Sequence, residues 1–345
     1  MSMGIFDKVS KFVSEEIDKT IPTLSVCMMG PRSVGKTTVM TSLFSESQSH
    51  ICEGSRLYLN AQDNNTAKLN DYRTMLMDAV AKKDASNLPA SNVISNFVFG
   101  LGIVGRKPSV KISVRDFPGE YLTSTIEEDR NEVHNFMSEA TVILIAIDTP
   151  FLMEENGRYN NDKNKIDIVT HYIKENTSAI KDKLVLFVPL KCERYFHDGR
   201  IAEVSQKVVS AYSELICFFK ENNIASIVTP IMTLGGMEFA NMSDLPTGIE
   251  DCKIIAEYQP WEQCPEYKPL FCPQPLYYLL TYVSNCYEWQ QQHQKGFLNR
   301  LMSSFMSFLK NDDEFLSEIQ KLSRYIIINR NGFIPITSNS VLKLN

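Results

Sequence analysis

The stretch "GPRSVGKTT", residues 30–38, limits what this chain can fold into more than any other part of it. Gly30 and Gly35 frame four residues, and Lys36-Thr37 follow, which completes a G-x4-G-K-T pattern. A loop of this kind works only between a buried strand and a helix. The apolar run "PTLSVCMM", residues 22–29, supplies the strand, and the apolar residues from Val34 to Phe44 suit the helix. Glycine lets successive backbone N–H groups turn inward. Gly30, Arg32, Ser33, Val34 and Gly35 would then line an anion nest at the start of the helix. Lys36 reaches the β- and γ-phosphates of a nucleotide, and the Thr37 hydroxyl is a Mg2+ ligand. Thr38 has a minor role on the α-phosphate side. Arg32 points to the transferred phosphate, to solvent or to a partner carboxylate.

The rest of the chain alternates. Strand-like runs occur at "VISNFVFGLGIV", "SVKISVRDF", "TVILIAID", "KLVLFVPL" and "IASIVTPI", with helical segments near 124–138, 164–179 and 201–221. Alternation of this sort predicts a three-layer α/β fold with a mostly parallel sheet. The first two runs are joined by "GRKP", so they read as one antiparallel edge hairpin within that sheet. The expected organisation is an amphipathic helix over 1–19, a nucleotide domain over 20–240 and a mainly helical extension over 241–345. A polar insert near 50–91 holds one helix, near 68–82, and otherwise loop. Residues 236–275 read as irregular and proline-rich. "YIIINRNGFIPI" reads as a terminal hairpin turning at Asn-Gly.

Composition excludes several classes. The 35 Lys and Arg against 41 Asp and Glu give a formal charge of -6, with no basic stripe, so a nucleic-acid partner is not expected. The 8 cysteines include no C-x-x-C pair, which argues against a structural zinc site and suits a reducing cytoplasm. No apolar run is long enough for a transmembrane segment, and the charged start lacks the apolar centre of a signal peptide. The stripe Ile5, Phe6, Val9, Phe12, Val13, Ile17 is that of a helix packed on the domain. A partner-binding or peripheral membrane helix is the alternative.

A second element lies some eighty residues on. In "VRDFPGEY", residues 114–121, a strand ends at Asp116, where a carboxylate can hold a water on Mg2+. Gly119 can offer its N–H to a γ-phosphate, a contact that exists only in the triphosphate state. Together, "GPRSVGKT" and "DFPG" resemble the signatures of the translation-factor and Ras-related class of P-loop GTPases. The ending "DFPGE" and the polar insert are most like bacterial double-GTPase-type domains. The resemblance covers residues 20–240. It implies GTP and GDP as the bound nucleotides, Mg2+ as cofactor, hydrolysis of GTP, and a protein effector or activating partner.

This chain departs from that pattern in three places. Glu120 stands where the class commonly has a catalytic glutamine, so it positions water or leaves intrinsic hydrolysis slow. The threonine that closes over Mg2+ stays unassigned among Thr66, Thr74, Ser86, Ser91 and Ser95. The base-reading N-K-x-D motif is replaced by "LKCE", residues 190–193. There Lys191 matches, Glu193 keeps the acceptor charge, and Leu190 cannot replace an amide. A carboxylate acceptor favours guanine. Thr233 and Leu234 fall where the class lines its base pocket. Two other readings stay open: an ATPase or relaxed-specificity nucleoside triphosphatase, and a nucleotide-binding adaptor without significant hydrolysis.

Overall fold

The computed structural model describes residues 21–31, 33–48, 50–61, 63–85, 88, 95–118, 121, 124, 126–245, 253–293 and 300–338. The amphipathic stretch 1–19, Arg32, Ser86, Ser91, Gly119 and Glu120 lie outside these residues.

The fold is α/β, with eight strands in one sheet. β1 (Thr23–Gly30), β4 (Val110–Pro118), β5 (Val142–Asp148), β6 (Leu184–Leu190) and β7 (Ala225–Val228) are parallel. β1 lies between β4 and β5. β1, β5 and β6 are almost wholly buried, because a parallel strand in a three-layer fold is covered on both faces, whereas β4 alternates, with Lys111, Ser113 and Arg115 only half-buried. β3 (Ser95–Ile103) runs antiparallel to β4, as the "GRKP" connection predicts.

Alternation along the strands divides the core in two. Leu24, Val26, Met28, Leu144, Ala146, Val188 and Leu190 face one layer, while Cys27, Met29, Ile143, Ile145, Ile147, Val185 and Phe187 face the other. The second layer is built by α3 (Glu127–Glu139), α4 (Ile166–Glu175), α5 (Ile201–Ala211) and α6 (Ser213–Glu221). The first is built by α1 (Lys36–Ser47) and α2 (Asp63–Ala81), together with α7 (Gln274–His293), α8 (Arg300–Asn311) and α9 (Asp313–Leu322). Leu276, Leu280, Phe305 and Leu309 pack in the same cluster as Val26 and Val39, so the segment beyond 241 shares a core with the strands and helices before it.

Three segments differ from the sequence expectation. β2 (Leu57–Ala61) forms inside the polar insert and pairs with β3, so β3 is not the sheet edge. Only its three alternate residues Leu57, Leu59 and Ala61 are buried, a signal too short to stand out among polar neighbours. The supposedly irregular region carries an antiparallel pair, β8 (Met237–Leu245) and β9 (Lys253–Pro260). A register shift between Phe239 and Asn241 breaks the two-residue period there. "YIIINRNGFIPI" does turn at Asn331-Gly332, with φ of 51° and 75°. Only one isolated bridge, Arg330 to Phe333, closes that turn. β10 (Ile334–Thr337) instead pairs antiparallel with β7 and forms the far edge of the main sheet. Pro335 is tolerated there because an edge strand needs donors on one side only.

Candidate functional site

The glycine loop joins β1 to α1, as expected. Gly30 passes so close to β5 that a Cβ on it would sit 2.8 Å from the Ala146 carbonyl oxygen. Gly35 starts the helix at φ 109°, a conformation open to glycine. Ser33 is exposed, with φ 62°; Val34 and Thr38 are buried and Thr37 is half-buried. Lys36 is buried, and its Nζ donates to the carbonyls of Gly30 at 2.8 Å and Pro31 at 3.1 Å. The ammonium is therefore held across the mouth of the loop.

Asp116 meets it there. In the β1–β4 register Met28 pairs with Asp116 and Gly30 with Pro118, so the "DFPG" strand end lies beside the glycine loop. Asp116 Oδ1 is 3.2 Å from Lys36 Nζ, and the two side chains are 4% and 7% exposed. That oxygen accepts no aligned hydrogen bond. Burial pushes the Asp116 carboxyl above its ordinary value, and the Lys36 ammonium, then Lys68, pull it part of the way back. Sequence reasoning missed Lys68. It belongs to α2 and lies over the Phe97 ring at 5.3 Å from its centroid.

The candidates for the Mg2+-closing hydroxyl separate. Thr66 Oγ1 donates to the Ala61 carbonyl and Thr74 Oγ1 to the Asn70 carbonyl, both within the local α2 region. Ser95 sits opposite Asp116 in the β3–β4 register, the nearest of the described candidates along the backbone.

The base-side residues take unexpected partners. Glu193 is buried, and its Oε1 accepts from the backbone N–H of Thr233 at 2.6 Å, Leu234 at 2.7 Å and Gly235 at 3.3 Å, and from the Thr233 hydroxyl at 3.2 Å. This carboxylate organises the loop after β7. Burial raises its pKa, against the opposing pull of the Leu234, Gly235 and Thr233 amides. Leu190 is buried, and its Cδ1 lies 3.8 Å from where a Gly35 Cβ would be. Its apolar side chain therefore faces the glycine loop at the position where the base-reading motif of the resembled class has an amide.

Lys191 has φ 61° and its Nζ lies 2.6 Å from Asp148 Oδ2. The same ammonium is 5.6 Å from the centroid of Tyr258, a β9 residue. Asp148 was legible in principle: it closes "TVILIAID" as Asp116 closes its own strand. Tyr258 was not, because β9 lay in the segment read as irregular. The β8–β9 pair is fastened over this side by the helix Glu193–His197. Arg194 Nη1 donates to the Ala240 carbonyl at 2.9 Å, His197 Nδ1 lies 3.0 Å from Glu238 Oε2, and the His197 ring stacks on Trp261 at 3.8 Å.

Among the described residues no three His, Cys, Asp or Glu side chains group as a metal cage. No helix among them is long and apolar enough to cross a membrane.

No protein-family model matches the sequence. No curated protein matches it either. Among solved structures the chain is similar to the GTP-bound Ski7 GTPase-like domain of S. cerevisiae, at 14% identity and a TM-score of 0.34. The alignment covers 67% of this chain and 46% of that one, so the chain spans less than half the length of that structure.

Proposed function

We propose that this chain binds GTP with Mg2+ at the glycine loop, hydrolyses it to GDP and phosphate, and acts as a nucleotide-controlled switch on a protein partner. The observation that carries this reading is the buried contact between Lys36 and Asp116 at the mouth of the loop. It joins the two motifs, some eighty residues apart, into one site with opposite charges in place.

The donor set fits Mg2+. Magnesium is usually held by one or two carboxylates, a hydroxyl, waters and the substrate phosphates rather than by a full protein cage. Asp116 Oδ1 is buried without an aligned donor, which suits a metal-bound water. The half-buried Thr37 lies at the first turn of α1. Bound Mg2+ supplies charge neutralisation on the β- and γ-phosphoryl oxygens. Lys36 turns its ammonium from the loop carbonyls to those oxygens, and the loop amides steady the charge that develops on the leaving group. In this reading the Gly119 N–H senses the γ-phosphate, and Glu120 orders water or leaves that task to a partner. Switch surfaces before β3 and over 117–125 bind the effector.

A second reading is favoured by one observation. Oε1 of Glu193 is taken by the amides of residues 233–235, so the side chain does not offer both oxygens for the two-point pairing that selects guanine. ATP would then bind as well as GTP.

Calorimetric titration of the full chain with GTP, GDP and ATP, with and without Mg2+, tests both readings. Tight Mg2+-dependent GTP binding is expected, weakened by about 100-fold in Lys36→Ala through loss of charge-assisted contacts. Unchanged binding by that variant, or none by the native chain, overturns the proposal. Phosphate release faster with a partner than alone is also expected; rapid turnover by the isolated chain removes the partner from the mechanism.

A further inference from the structure

Glu193, expected to read the base, spends Oε1 on the amides of residues 233–235, whereas Asp148 keeps one buried oxygen, Oδ1, without a donor. Asp148 ends β5 on the same strand face as Leu144 and Ala146, the face that carries the glycine loop and α1. In open α/β sheets ligands bind outside the carboxyl ends of the parallel strands, which is where Asp148 stands. Ala146, two residues earlier, lies so close to Gly30 that a Cβ there would clash with it, and Leu190, paired with Asp148 across β5 and β6, fills the space a Gly35 Cβ would face. Asp148 is therefore one step beyond the loop along the direction from phosphate towards base.

Its chemistry is half satisfied. Oδ2 holds Lys191 at 2.6 Å, and the backbone N–H of Asp148 donates to Asn164 Oδ1 at 2.7 Å. Oδ1 is buried and has no donor. The hydroxyl of Tyr258 is also buried without a partner, although the residue as a whole is only half-buried. Lys191 connects the two, bonded to one and facing the ring of the other. A buried acceptor and a buried hydroxyl both left open cost stability unless a ligand fills them, because each loses its water without gaining a partner. An open carboxylate oxygen and an open hydroxyl, both next to Lys191, suit a ligand edge with an N–H next to an acceptor atom.

We infer that Asp148 and Tyr258, and not Glu193, meet the nucleobase edge, with Asp148 Oδ1 accepting one base N–H and the Tyr258 hydroxyl donating to the neighbouring base acceptor. The inference rests on nucleotide binding at the glycine loop and identifies its base pocket between the ends of β5 and β6 and the inner side of β9. Guanine offers N1–H beside O6, and adenine offers N6–H beside N1. With Oδ2 committed to Lys191, the two-oxygen pairing with N1–H and N2–H that selects guanine is not formed. The pocket therefore accepts both purines with little discrimination.

The test compares GTP, ATP and inorganic tripolyphosphate, which has the phosphate chain but no base, on the full chain. GTP and ATP are expected to bind within about tenfold of one another. Tyr258→Phe, which removes only an unpartnered hydroxyl, and Asp148→Asn are each expected to weaken GTP by about tenfold while leaving tripolyphosphate binding unchanged. Circular dichroism of each variant checks that the fold is kept. Unchanged GTP affinity in Tyr258→Phe overturns the assignment, as does an equal loss of GTP and tripolyphosphate, or a GTP preference over ATP above about 100-fold. If tripolyphosphate and GTP both fail to bind the native chain, nucleotide binding itself falls, and this pocket with it. If tripolyphosphate binds and Lys36→Ala abolishes it, the phosphate site stands and the base arms alone decide.

Discussion

Glu193 shows how a residue in a motif position can be recruited for architecture. Its carboxylate gathers three amides and a hydroxyl, so the loop 233–235 takes its shape from one side chain. Leaving those buried donors without an acceptor costs about 3 kcal/mol, since each forfeits both water and partner. Glu193→Ala should lower the free energy of unfolding by about that amount, read from the urea midpoint. Glu193→Gln, which keeps an oxygen in place, should lose much less. Equal losses from the two would show that charge, not the oxygen, holds the loop. Spacing alone made Glu193 a base reader, because sequence gives the position of a carboxylate and not the donors that fold back onto it.

Elements with long apolar runs were legible. β1, β5 and β6 are covered on both faces, and only continuous runs of apolar residues meet that demand. Short or irregular elements were hidden: β2 has three inward residues, and β8 is broken by its register shift. The glycine loop and Asp116 were readable because their chemistry sits in contiguous letters. Lys68 comes near Asp116, and Asp148 and Tyr258 flank Lys191, only in the folded chain, because each comes from a separate element. The join between α3 and β6 belongs to the same class. Lys183 donates to the carbonyls of Ser138, at 2.9 Å, and Ala140, at the end of α3, where helix carbonyls lack internal partners. Burial pulls the Lys183 pKa from 10.5 down to about 8. Between those two values the unfolded chain binds a proton that the folded one does not, so this group's stabilising contribution grows as pH rises. It is lost as pH falls through about 8. The thermal midpoint of the native chain minus that of Lys183→Met should therefore rise from about pH 8 to about pH 10. A difference independent of pH would mean that the ammonium keeps its charge in the folded protein.

At the scale of the molecule, the boundary expected at residue 240 crosses a single core. α7, α8 and α9 lie on the same sheet face as α1, and β10 pairs with β7. Tyr277 Oη donates to the Ile51 carbonyl at 2.7 Å and Tyr282 Oη to the Asp182 carbonyl at 2.9 Å, so α7 is tied to two separate parts of the segment before 240. A fragment covering residues 20–240 should lack cooperative thermal unfolding and should aggregate, measured by calorimetry and light scattering. A soluble fragment with a sharp transition would establish an autonomous nucleotide domain.

The position of β10 also sets an order of events during synthesis. β7 emerges from the ribosome with one side unpaired, and its partner, residues 334–337, is made more than a hundred residues later. Throughout that interval the nascent sheet displays an open row of amides and carbonyls, the template on which neighbouring chains add strands. Translation speed between residues 228 and 334, and the supply of chaperones that shield such rows, should therefore govern how much of this protein matures.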